Sequence, residues 1–111
     1  MTTWKHAERQ IAKRLNGRRV PVSGRAGQPD IAHPWLSIEV KHRRRLPQWL
    51  TMALVQAERA AAPDQLPIAV LHEAGERYGR SLVVLRLDAF EEWFGDIPLV
   101  EAGWAVEKRS R

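Results

Sequence analysis

Cysteine is absent from the 111-residue chain, so neither disulfide staples nor thiolate metal sites are available to it. Any metal must be held by oxygen or imidazole, which favours hard cations such as magnesium. No apolar run approaches the roughly 20 residues that cross a bilayer, and Met1 to Arg14 lack the apolar core of a secretory signal. No membrane contact is expected, and the expected compartment is the cytoplasm. Asparagine occurs once, at Asn16, and lysine is scarce, with 4 against 14 arginines; a heat-adapted host or a GC-rich genome would each leave that imprint. Acid is scarce in the first half. Residues 1–59 carry 12 basic and 4 acidic side chains, whereas residues 60–111 carry 6 and 9. Such polarity is the footprint of a polyanion-binding face, or of a merely solvated basic surface.

The length fits one domain, 1–111, with 96–111 as a C-terminal extension that holds Trp104. Thr2 or Thr3 can cap a first helix that runs to Leu15 and stops at Asn16-Gly17. Trp4, Ala7, Ile11, Ala12 and Leu15 form its apolar stripe, and Glu8 falls within that stripe, where a carboxylate needs a partner. Arg18 to Val22 suggest a short strand, followed by a Gly-rich basic loop from Ser23 to Pro29. Leu36, Ile38 and Val40 alternate with Ser37, Glu39 and Lys41, which predicts a strand over 36–42 with Glu39 and Lys41 side by side. Pro47 opens a second helix that ends near Ala62, with Trp49, Met52, Ala53, Gln56, Ala57 and Ala60 on one face and Trp49 expected in the core. Pro67–His72 and Ser81–Leu87 read as a hairpin-like strand pair, and Asp88-Ala-Phe-Glu91 as the capping box of a third helix that stops at Gly95. The order α-β-β-α-β-β-α predicts an α/β fold with a mixed sheet flanked by helices.

Asp30, Glu39 and Lys41 carry the chemistry. Phosphodiester hydrolysis needs a cation on the scissile phosphate, an activated water, and compensation of the charge that builds up in the pentavalent transition state. Asp30 and Glu39 can ligate magnesium, with the Val40 carbonyl as a further oxygen ligand. Lys41 can orient or help deprotonate the water and oppose the developing charge. Arg18, Arg19, Arg25 and the run Arg43-Arg44-Arg45 are candidate phosphate contacts. The four histidines show no ligand spacing, so zinc is not expected.

The segments Ala7-Glu8-Arg9 with Ile11 and Leu15, Ser23-Gly24, Pro29-Asp30 and Ile38-Glu39-Val40-Lys41 together resemble the archaeal-type Holliday junction resolvases, or a phage-encoded relative, of the PD-(D/E)xK nuclease superfamily. The resemblance spans Trp4 to Leu87, and the order and spacing of its segments are more specific than any one motif. It implies a restriction-endonuclease-like core and metal binding by Asp30 and Glu39, with Glu8 approaching the metal. It also implies a catalytic Lys41, and Ser23 in a mobile loop that contributes to cleavage. The expected cofactor is Mg2+, with Mn2+ able to substitute. The expected protein is a homodimer cutting paired strands of a four-way DNA junction, in the cytoplasm of a bacterium that a phage can infect. After Lys41 the chain departs from the archaeal pattern, with His42-Arg43-Arg44-Arg45 and Leu46-Pro47-Gln48-Trp49-Leu50 in place of the usual segment.

Plainer readings stand beside each residue. Glu8 can pair with Arg18 or Arg19 at the helix end, Asp30 after Pro29 can be a turn residue, and Glu39 with Lys41 can be a solvated strand face. Gln56 can reach the site across the sheet or be a buried glutamine satisfied by backbone. At the level of function, the alternatives are a repair or restriction-type nuclease on other DNA substrates and a non-catalytic basic DNA-binding protein.

Overall fold

The computed structural model describes residues 3–20 and 29–95. Over these residues the protein is a small mixed α/β protein with three α-helices and two two-stranded antiparallel sheets. The elements are α1 (Trp4–Arg14), β1 (Arg18–Arg19), β2 (Ile31–Ala32), α2 (Gln48–Ala60), β3 (Ala69–Leu71), β4 (Leu82–Val84) and α3 (Leu87–Phe94), an α-β-β-α-β-β-α order in which β2 falls at 31–32 instead of the expected 36–42. They group into two compact units, residues 3–20 with 29–43 and residues Arg44–Gly95. No helix among the described residues is long and apolar enough to cross a membrane. Residues 96–111, including Trp104, lie outside the described residues.

In the first unit, the Thr3 hydroxyl accepts from His6 N–H at 3.1 Å and starts α1 as a side-chain cap. The helix ends where Asn16 turns to a φ of 60°, a left-handed conformation that asparagine tolerates. Gly17 N–H then donates to the Ala12 carbonyl at 2.8 Å, and Asn16 N–H to that of Lys13 at 3.3 Å, the paired bonds of a Schellman stop. Gly17 also lies against β2: an added Cβ would stand 2.5 Å from Ile31 Cγ2 and 2.8 Å from the Ala32 oxygen. Ile31 is fully buried, and Ala12 of α1 and its C-cap Leu15 are buried as well. Trp4, expected in the apolar stripe, is 46 % exposed.

β1 and β2 pair antiparallel, Arg18 with Ala32 and Arg19 with Ile31. The strand expected over 36–42 forms only one antiparallel bridge, Ile38 to Ile31. Two features limit the ladder. Pro29 and Pro34 flank β2 and have no N–H to donate, and the Val40 amide is taken by the side chain of Asp30 instead of a strand carbonyl. The expected alternation nevertheless survives in burial, with Leu36, Ile38 and Val40 partly buried and Ser37, Glu39 and Lys41 exposed. One mixed sheet was the expectation; the described residues form two separate sheets, because strands of two or three residues offer few ladder positions.

In the second unit, β3 and β4 pair antiparallel with Val70 opposite Val83. Leu54 is the buried residue of α2, flanked by the partly buried Leu50, Ala53, Ala57 and Ala61. This corrects the expected face: Trp49 is 65 % exposed, and Met52 and Gln56 are exposed too. The helix is apolar on most sides, so two stripes compete, and the one carrying leucines at i and i+4 is buried. Arg86 donates to both carboxylate oxygens of Glu58, at 2.8 and 3.2 Å, and holds the Glu58 carboxyl below its usual range. Asp88, expected as the N-cap of α3, is not its cap. The helix begins two residues earlier than that cap would set, at Leu87, with Arg86 as a cap that makes no side-chain bond, and Asp88 lies inside the first turn. Gly95 is the C-cap, as expected.

Candidate functional site

Asp30 is tied to its neighbours at three points. Its carbonyl accepts from Val20 N–H at 2.9 Å, its N–H donates to the Ile38 carbonyl at 3.1 Å, and its Oδ2 accepts from Val40 N–H at 2.6 Å. The last bond is charge-assisted and short. It fastens the Asp30 carboxylate to the Glu39-Val40-Lys41 segment, and so brings together two stretches of chain that sequence spacing alone only suggested. Asp30 is partly buried.

Glu39 and Lys41 project to solvent on the same side of that segment, Lys41 Nζ lying 4.0 Å from Glu39 Oε2 with side chains 72 % and 61 % exposed. A pair so exposed contributes little to stability. Its two groups stay available to a ligand.

Glu8 takes the plainer of its two readings. It is buried on α1, and Arg19 Nε on β1 donates to its Oε1 at 2.8 Å. The same guanidinium stands 6.0 Å from the centre of the Trp4 ring, within cation–π range. Arg19 is thus a partner for Glu8 in the unit's interior, whereas Arg18 is exposed. Among the described residues no three Asp, Glu or His side chains gather closely enough to share a cation. Arg43 ends the first unit and Arg44 and Arg45 begin the second, all three exposed. Gln56 belongs to α2 of the second unit and is exposed, not buried. Ser23 and Arg25 lie outside the described residues.

His33 carries no ligand spacing in the sequence, yet it is the second buried polar residue of this unit, along with Glu8. It is buried beside Ile31, and its Nε2–H donates to the Leu15 carbonyl at the end of α1 at 2.8 Å. Its Nδ1 accepts from Trp35 N–H at 3.3 Å and Leu36 N–H at 3.2 Å. That pattern requires the neutral imidazole with its proton on Nε2. Burial lowers the pKa below the ordinary 6.5, partly opposed by the bond to Leu15. A sequence signal existed: Ile31 and His33 share strand parity, so the ring follows a core residue onto the buried face.

Comparison of the chain with protein-family models, curated proteins and solved structures found no match. The functional reading therefore rests on the residues themselves.

Proposed function

We propose that the chain is a metal-dependent, structure-selective DNA endonuclease that resolves four-way junctions by paired phosphodiester hydrolysis, built on a restriction-endonuclease-like core. The observation that carries the reading is the 2.6 Å bond from Val40 N–H to Asp30 Oδ2, because it sets the Pro29-Asp30 element beside Glu39-Val40-Lys41. The α-β-β-α-β-β-α order supports the core, and the basic first half of the chain supports a polyanionic substrate.

The donor chemistry fits magnesium. Asp30, Glu39 and the Val40 carbonyl are all oxygen donors, the chain has no thiol, and magnesium binds through one or two carboxylates while keeping several waters. A bound magnesium, or manganese in its place, would supply Lewis-acid polarisation of the scissile phosphate. The chain's own residues do the rest. The main-chain amide of Val40 fixes the orientation of Asp30. Lys41 Nζ orients the attacking water and opposes negative charge on the phosphate oxygens as water adds to phosphorus and one P–O ester bond breaks. Glu39, 4.0 Å from Nζ, puts a metal-ligating carboxylate and that ammonium on one side of the segment. Two incisions on paired strands call for two such sites related by a two-fold axis, hence a homodimer.

The test uses labelled four-way junction, linear duplex and single strand, each with and without magnesium, with incision positions mapped on both strands. Wild type should cut the junction symmetrically and only with the metal; Glu39→Gln and Lys41→Ala should bind but not cut. Undiminished cutting by both variants refutes the site, and equal cutting of linear duplex moves the substrate to the repair or restriction type. A second reading has its own support. Glu8 and Glu39 are each matched by a base, Arg19 and Lys41, as in a non-catalytic DNA-binding protein; salt-sensitive binding without cleavage at any pH would establish it.

A further inference from the structure

The solvent face of α1 is cationic from end to end. Lys5, Arg9 and Lys13 follow one another at four-residue intervals, all three exposed. At a rise of about 1.5 Å per residue they span about 12 Å of helix. The helix has no acid in its first turn, and its single carboxylate, Glu8, is buried against Arg19. Nothing on the outer face offsets the three charges, since Arg9 and Lys13 form no ion pair among the described residues. Lys5 rests over the exposed Trp4 ring at 5.4 Å, a contact that leaves its charge intact.

This arrangement works against the helix. Like charges four residues apart repel, and Lys5 in the first turn faces the positive end of the helix dipole, although Lys13 in the last turn faces the negative end. Local preferences broken without a local gain mark positions held for function.

We infer that the outer face of α1 is a phosphate-tracking surface for duplex DNA, with Lys5, Arg9 and Lys13 each neutralising a phosphate of one strand. Phosphates recur about every 3.4 Å of axis along a strand, so three charges about 6 Å apart along the helix fall close to every second phosphate, about 6.8 Å apart. None of these side chains belongs to the arginine set read from the sequence as DNA contacts. The inference rests on the nucleic-acid reading above but not on hydrolysis.

The experiment measures affinity for a linear duplex without magnesium across a salt series, for the full chain and for the Lys5→Gln/Arg9→Gln/Lys13→Gln variant. Each lost phosphate contact should reduce the log–log salt slope by about 0.9. With all three lost, the fall in affinity between 50 and 200 mM salt should shrink by about 40-fold. A control with Arg59, Arg77 and Arg80 of the second unit changed to glutamine removes the same net charge and should keep the wild-type slope. Helical circular dichroism of the α1 variant should stay close to that of the wild type, because the relieved repulsion offsets the lost attraction of Lys13 to the helix C-terminus. An unchanged slope in the α1 variant overturns the inference, as does an equal reduction in the control. Failure of the cleavage assay alone leaves this result standing, so the two readings fail separately.

Discussion

Replacing Gly17 with alanine would drive a methyl group into β2. The new carbon would stand 2.5 Å from Ile31 Cγ2 and 2.8 Å from the Ala32 carbonyl oxygen, whereas carbon contacts settle at about 3.5–4.0 Å. Ile31 is fully buried, so its side chain cannot turn out to solvent without exposing core, and the second obstacle is backbone. Relief therefore requires β2 to move away from the end of α1 by about 1 Å, at the overpacking cost of about 1–3 kcal/mol. For a chain of this size that corresponds to a fall in Tm of roughly 4–15 °C. Urea unfolding followed by far-UV circular dichroism measures it, with Gly79→Ala as control, since a Cβ there meets nothing within 4 Å. Ile31→Ala, which alone costs about 2–5 kcal/mol, removes the nearer obstacle, so the double variant should be more stable than the sum of the singles by about 1 kcal/mol. Wild-type stability in Gly17→Ala, or strict additivity in the double variant, would refute the reasoning.

Glu8→Ala leaves the Arg19 guanidinium in a largely enclosed position without its acceptor and should cost about 1.5–3 kcal/mol, read as a shift in urea midpoint. Asp30→Asn keeps an oxygen for the Val40 amide, whereas Asp30→Ala removes it; the first should fold like wild type and fail to cut, while the second should also lose about 1–3 kcal/mol. His33 has a folded pKa below its unfolded 6.5, so the unfolded chain binds more protons between the two values. Its contribution is complete above about pH 6.5, declines as pH falls below that, and levels off beneath the folded pKa. Stability curves at several pH values should show that decline, and His33→Gln should flatten it.

The elements legible in the sequence are those governed by local chemistry. Thr3 and the Asn16-Gly17 pair bound α1 where their capping and left-handed preferences dictate, and Pro47 and Gly95 bracket α2 and α3 as read. Features decided by competition between neighbours were not legible. Asp88 was a good cap by composition, yet α3 begins at Leu87, one residue before it. The strand around Ile38 had the right alternation, yet a side chain claimed the Val40 amide. The Asp30-to-Glu39 association was suggested by spacing and is present as a bond to the residue between Glu39 and Lys41, whereas the choice of Arg19 over Arg18 as the partner of Glu8 follows from the side of β1 on which each lies.

The clamp on Asp30 is made by a main-chain amide, so it does not depend on which side chain residue 40 carries. A saturation library at Val40 should accordingly tolerate most residues that suit a half-buried position, with proline as the one replacement that deletes the donor. Variation at this position is buffered by the backbone, and a screen of that library would show proline excluded more sharply than any replacement of similar size and polarity.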